Sequence, residues 1–165
     1  SIRQVAARGY NLLLDQFASF EAVAERVAIF KQAVEEHGRV FDPADVGVAR
    51  AFYVAKNQAD KDAALERRME AQRRLEAISS APDGTKSKAS IMAYSDTREA
   101  SEDSALYGTP DEIAKKLERL RALGVDYVLL NGGGLGLDKA SDNLSRFGRE
   151  VMPAFADTAQ ARVAG

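Results

Sequence analysis

Val46-Gly47-Val48-Ala49-Arg50-Ala51-Phe52-Tyr53-Val54 is a run of nine residues in which every side chain but Arg50 is apolar or absent. Phe41-Asp42-Pro43 forms a turn ahead of it. A short apolar run without polar alternation reads as a strand buried on both faces, the habit of parallel sheets. Two further runs have the same character: Tyr10-Asn11-Leu12-Leu13-Leu14-Asp15 upstream and Val125-Asp126-Tyr127-Val128-Leu129-Leu130-Asn131 downstream. Between the first two lies a helix capped by Ser19, carrying Val23, Val27, Phe30 and Val34 at helical spacing and closed by His37-Gly38. A second long helix is expected over 58–78, with Leu65, Met69, Leu75 and Ile78 inward and its Arg/Glu-rich stretch 66–76 a solvated face. Thr109-Pro110-Asp111-Glu112 opens a third, with Thr as cap and proline at the first position; Ile113, Leu117 and Leu120 share its face and Gly124 stops it. A short helix over 1–8, a very short strand at 105–107 and a last helix from Lys139 holding Leu144, Phe147, Val151 and Phe155 complete the order. The tail after Asp157 reads as frayed.

Strands separated by helical crossovers make a parallel sheet with right-handed connections. Three or four such units are too few for a closed (β/α)8 barrel, which takes ~250 residues. A small doubly wound sheet and half of a barrel both fit. Residues 79–104 break the alternation: they turn to Ser, Ala, Asp, Lys and Gly with only Ile91, Met92 and Tyr94 to bury, which favours a mobile loop over a packed element.

Composition narrows the function. The 165 residues carry 23 basic and 25 acidic side chains, a net charge of −2, which offers no electrostatic footprint for nucleic acid or an anionic membrane. Absence of cysteine removes disulfides, thiolate nucleophiles and Cys-based metal sites, and fits a reducing, cytoplasmic setting. No apolar run approaches the ~18 residues of a membrane span. The chain starts at Ser1 directly in a helical pattern, as a piece of a longer protein would.

In a parallel α/β arrangement ligands sit at the carboxyl ends of the strands. Asp15 and Gln16 are therefore candidates for a heterocycle edge or acid/base work, although a polar pair ending a strand is also an ordinary turn. Arg50 lies inside an apolar strand, where a guanidinium must meet a carboxylate, a phosphate or a ligand. Ser1 brings a hydroxyl and free amides to a helix start, which serves an anion site as well as a plain N-cap. Gly132-Gly133-Gly134-Leu135-Gly136 completes neither a dinucleotide fingerprint nor a P-loop and reads as a flexible turn. His37, the only histidine, suits a helix C-terminus rather than catalysis, and no metal-ligand cluster exists.

Several segments in order resemble the luciferase-like, flavin-dependent monooxygenases: 1–15, Val48-Ala49-Arg50-Ala51, Tyr107-Gly108-Thr109-Pro110-Asp111-Glu112-Ile113, Leu123-Gly124-Val125-Asp126-Tyr127-Val128-Leu129, and Arg146-Phe147-Gly148-Arg149-Glu150-Val151-Met152-Pro153-Ala154-Phe155. The resemblance implies an α/β fold in which 1–165 is a single segment, the C-terminal half of a (β/α)8 TIM barrel, with the mobile loop at 79–104 covering the site. It implies an oxidoreductase that uses reduced FMN, or F420 in one branch, on a small organic substrate with dioxygen. A flavin reductase as partner and a homo-oligomer, commonly a dimer, go with it. Ser1 then falls where flavin phosphate is held, Asp15 and Gln16 face the ring system, and Arg50 is a family-like residue of the sixth strand that joins them as a cofactor-binding candidate. The catalytic residues would lie in the missing N-terminal half. Read without the resemblance, the same residues also suit a non-catalytic α/β module that binds a phosphorylated ligand or a partner chain.

Overall fold

The structure, a computed structural model, describes residues 1–79, 97–132 and 135–156. Its elements run α1 (Ile2–Ala7), β1 (Leu12–Leu14), α2 (Phe20–Glu36), a 3-10 turn (Pro43–Asp45), β2 (Val46–Val54), α3 (Gln58–Ser79), α4 (Arg98–Asp103), β3 (Leu106–Gly108), α5 (Pro110–Ala122), β4 (Tyr127–Asn131), α6 (Leu137–Glu150) and a 3-10 turn (Met152–Phe155). All pairings are parallel and all are made to β2, as its length and apolar content require: β1 lies along Val46–Val48, β4 along Gly47–Ala51 and β3 along Phe52–Val54. β4 thus adjoins β2 directly instead of following β3 in the sheet.

The face of α2 found from spacing alone is the one that buries. Val23, Val27, Phe30 and Val34 of α2 pack with Leu12, Leu14, Val46 and Val48 and with Leu120 of α5. Phe52, Val54 and Leu106 meet Ile113, Phe147 and Val151 in a second cluster, where the rings of Phe52 and Phe147 stand edge to face, 5.5 Å apart. Leu65 of α3 closes a third with Ala51 and Tyr107. α5 starts with a full capping box: Thr109 Oγ1 accepts from the Glu112 N–H and Glu112 Oε2 accepts from the Thr109 N–H at 2.7 Å. Gly108 makes the box possible, since at φ +155 a Cβ there would stand 2.7 Å from Glu112 Oε2. Gly124, at φ +85, is the left-handed stop that ends this helix.

Four readings need correction. The stretch 79–104 is not loop throughout: Arg98–Asp103 is a helix, and Ser101 and Ser104 are buried against α3, Ser101 through Gln72 and Ser104 through Arg68. Polar burial of this kind leaves no apolar periodicity to read. Ile91, Met92 and Tyr94 with the rest of 80–96 within the loop expected at 79–104, Gly133-Gly134 and the tail from Asp157 lie outside the described residues. From Glu66 to Arg74 of α3 the charged residues are exposed except for Arg68, which is buried; the side chains of Leu75, Glu76 and Ile78 lie outside the described residues. On α6, Leu144 is 55% exposed and Asn143 takes the inward place. At α1, Ser1 is the N-cap by position, but its hydroxyl caps nothing.

Candidate functional site

β1 ends in a turn that Asp15 builds. Its Oδ1 accepts from the Phe17 and Ala18 N–H groups at 2.8 and 3.1 Å, and its Oδ2 pairs with Arg26 at 2.8 Å. The carboxylate is therefore committed to the turn, and Gln16 is the group that the turn presents. Asn131, the last residue of β4, donates through Nδ2 to Gln16 Oε1 at 3.0 Å. Since β2 separates β1 from β4, this bond spans the sheet at the carboxyl ends of its strands.

The sheet leading to that bridge is open on one side. A Cβ on Gly47 would come 3.3 Å from Leu13 Cδ1 and 3.5 Å from Tyr127 Cβ, so Leu13, Gly47 and Tyr127 share a face. Leu13 is 61% exposed and Tyr127 66%, and Leu129 on β4 is exposed as well, while Leu12 and Leu14 are buried under α2. Parallel sheets are ordinarily covered on both faces. Here one face is covered by helices and the other presents a flat apolar surface running along β1 and β4 to two carboxamides.

Arg50 is fully buried. Its Nη1 donates to the backbone oxygens of Asp15 and Ala49 at 3.2 and 3.4 Å, and its guanidinium carbon lies 5.8 Å from the Phe20 ring centroid. Burial pulls its pKa down to about 10 despite the nearby charges of Asp15 and Asp103. Asp15, Gln16 and Arg50 thus form one group at the start of α2. Ser1 stands apart from it: α1 is anchored by the 2.8 Å pair between Arg3 and Glu36, which ends α2 about 25 Å away along the helix axis.

Beyond the end of β4, a cavity of about 560 Å³ opens between α3 and α6, lined among others by Tyr53, Lys56, Asp60, Arg67, Lys139 and Arg146. Tyr53 donates to Asp60 Oδ1 at 2.9 Å, and burial together with that carboxylate raises the phenol above its usual range. Burial works against ionisation of Asp60, but the Lys56 N–H and the Tyr53 hydroxyl outweigh it and hold the carboxyl below its usual range. Asn143 forms one wall and replaces the missing strand: its Oδ1 accepts from the Val54 N–H at 2.8 Å and its Nδ2 donates to the Phe52 oxygen at 3.1 Å. A lone Asn within an amphipathic helix pattern gives no signal of this role. The junction of α3, α4 and α5 is tied by Lys61, which pairs with Glu102 at 2.6 Å and Glu112 at 2.9 Å. Among the described residues no cluster suits a metal ion, and no helix is long and apolar enough to cross a membrane.

A family model described as luciferase-like monooxygenase matches residues 1–127. No curated protein matches the chain. Among solved structures, the monooxygenase RslO1 from Streptomyces bottropensis superposes with a TM-score of 0.66 at 20% identity, over 94% of this chain and 45% of its own. The oxygenating constituent of 3,6-diketocamphane monooxygenase from the CAM plasmid of Pseudomonas putida, in complex with FMN, gives 0.64 at 20% identity, over 93% and 45%. The coenzyme F420 dependent tetrahydromethanopterin reductase from Methanopyrus kandleri gives 0.60 at 22% identity, over 93% and 48%. The chain spans a little under half the length of these structures, and at such identities the likeness establishes the shared fold.

Proposed function

The chain belongs to the luciferase-like monooxygenase family, and on that premise we propose that it forms the C-terminal half of a flavin-dependent oxidoreductase acting on a small organic substrate. The cofactor in this proposal is reduced FMN, with F420 as the alternative. The observation that carries it is the exposed apolar surface of Leu13 on β1 and of Tyr127 and Leu129 on β4, leading to the Gln16 and Asn131 carboxamides.

These residues fit a flavin. Its ring system is flat and apolar over its faces and edged by hydrogen-bonding nitrogens and oxygens. Gly47 keeps the sheet face flat, Leu13 and Leu129 are apolar, and each carboxamide offers both a donor and an acceptor. Gln16 and Asn131 would hold the ring edge, with Asp15 fixing the turn that carries Gln16; Ser1, at the far end of α2, falls outside this arrangement. Once bound, the reduced cofactor supplies the electrons for the reaction with dioxygen. The chain's own residues bind it, orient the substrate and exclude water. A flavin reductase as the source of reduced FMN and a homodimer as the working assembly belong to the same proposal.

Titration of the full natural polypeptide with FMN and with F420, followed by absorbance, tests this reading. One of the two should bind stoichiometrically. The double substitution Gln16→Leu, Asn131→Leu removes two neutral hydrogen bonds and should weaken binding by about tenfold or more. Binding of a phosphorylated ligand but of neither cofactor would leave the non-catalytic module in its place.

A further inference from the structure

Arg50 is buried with two of its three nitrogens idle. Nη1 is spent on backbone oxygens, while Nε and Nη2 have no hydrogen-bond partner. Those two atoms form the side-on edge of a guanidinium, the fork whose spacing matches the two oxygens of a carboxylate or phosphate. A second buried guanidinium is near enough to depress the ionisation of the first: Arg68, whose Nη2 donates to Ser104 Oγ at 3.2 Å and whose Nε is likewise without a partner.

Asp15 and Asp103 both act on the Arg50 charge from nearby, but Arg50 Nε and Nη2 have no hydrogen bond to either. Asp15 serves its own turn and Arg26. Asp103 accepts from the Phe20 N–H at 3.1 Å through Oδ2 and faces Arg119 at 3.6 Å through Oδ1. The remaining neighbours are aromatic. Phe20 lies beside Arg50, and Phe17 and Tyr107 flank Arg68 at 5.7 and 5.8 Å. Two guanidiniums taken out of water, with a bidentate fork left open, are costly unless an anion completes them.

We propose that the Nε–Nη2 edge of Arg50 is a binding site for an oxyanion of the carboxylate or phosphate class. The site lies beside the Asp15–Phe17 turn and Phe20 at the start of α2, on residues distinct from the Gln16–Asn131 bridge. It does not depend on the flavin reading.

The test is thermal unfolding of the full natural polypeptide at constant ionic strength, set with sodium chloride, while inorganic phosphate or acetate is raised through the millimolar range. The midpoint should climb saturably by about 3 °C or more, as ligand linkage requires. Arg50→Met should abolish the response. Should that variant not fold, Arg50→Lys keeps the charge without the fork and should weaken the apparent affinity by about tenfold. A parallel arm with FMN and riboflavin identifies the source. A rise with FMN alone, absent with riboflavin and lost in the Arg50 variants, makes the cofactor's phosphate the oxyanion; a rise with inorganic phosphate makes it a free ion. No saturable response to any of these anions, or an equal response in the Arg50→Met protein, overturns the proposal.

Discussion

Replacing Asn143 tests how β2 is completed where β4 ends. The Asn143 carboxamide bonds the Val54 N–H at 2.8 Å and the Phe52 oxygen at 3.1 Å, and Asn143, Phe52 and Val54 are all buried. Asn143→Ala removes both bonds and strands a backbone donor and a backbone acceptor away from water. Each orphaned group costs about 1–3 kcal/mol, so the pair should cost about 2–6 kcal/mol, a large part of a typical domain's stability. Asn143→Asp separates the two bonds without changing shape. The carboxylate still accepts from Val54, but its second oxygen faces the Phe52 oxygen with no proton between them. This variant should lose as much as alanine at neutral pH and recover part of the loss in acid, where the protonated carboxyl can donate. Urea unfolding measures the free energies, and hydrogen exchange at the Val54 amide reports the bond itself. A loss under about 0.5 kcal/mol for Asn143→Ala, with the Val54 amide still protected, would refute the strand-replacement role.

Gly108→Ala should cost about 2–4 kcal/mol by chemical denaturation, because the residue sits at φ +155 and its Cβ would displace Glu112 from the capping box; a change within 0.5 kcal/mol would mean that the box gives way freely. Lys116 donates to the oxygens of Glu102 and Ala105, both at 2.8 Å, and burial brings its pKa down to about 8. The unfolded chain then holds this proton more tightly than the folded one, so the stability difference between wild type and Lys116→Met should rise from about pH 8 toward the unfolded lysine value near 10.4; a flat difference across that window would contradict it. Leu13→Asp in the full natural polypeptide should cost about 2 kcal/mol or more, since the proposed barrel half and the cofactor ring together cover that face; a loss under 0.5 kcal/mol would show the face still open to water.

Elements held by apolar periodicity were legible in the sequence, and elements held by polar burial were not. Val46–Val54 is a strand over its full expected length, and Val23, Val27, Phe30 and Val34 bury as their spacing required. The first strand is shorter than 10–15, since Tyr10 and Asn11 are exposed ahead of Leu12. Helix α4 escaped because Arg-Glu-Ala-Ser-Glu-Asp has no apolar face, and its inward groups are hydroxyls matched to Arg68 and Gln72. For the same reason Arg68 passed as part of a solvated face, and nothing in the sequence singled out Asn143. At the candidate site, the strand-end rule pointed to Asp15 and Gln16, and the structure brings Asn131 to Gln16. The Gln16–Asn131 bond was hidden because strand neighbours are not set by chain order: β4 lies against β2, which brings the two residues 115 positions apart within 3.0 Å.

In the proposed enzyme this fold carries half of a flavin site, and equilibrium titration of the full natural polypeptide with FMN and F420 tests that directly. Stoichiometric binding of one cofactor, weakened about tenfold or more by Gln16→Leu with Asn131→Leu while the fold persists, is the expected result. Failure to bind either cofactor, or binding that both substitutions leave unchanged, would contradict it.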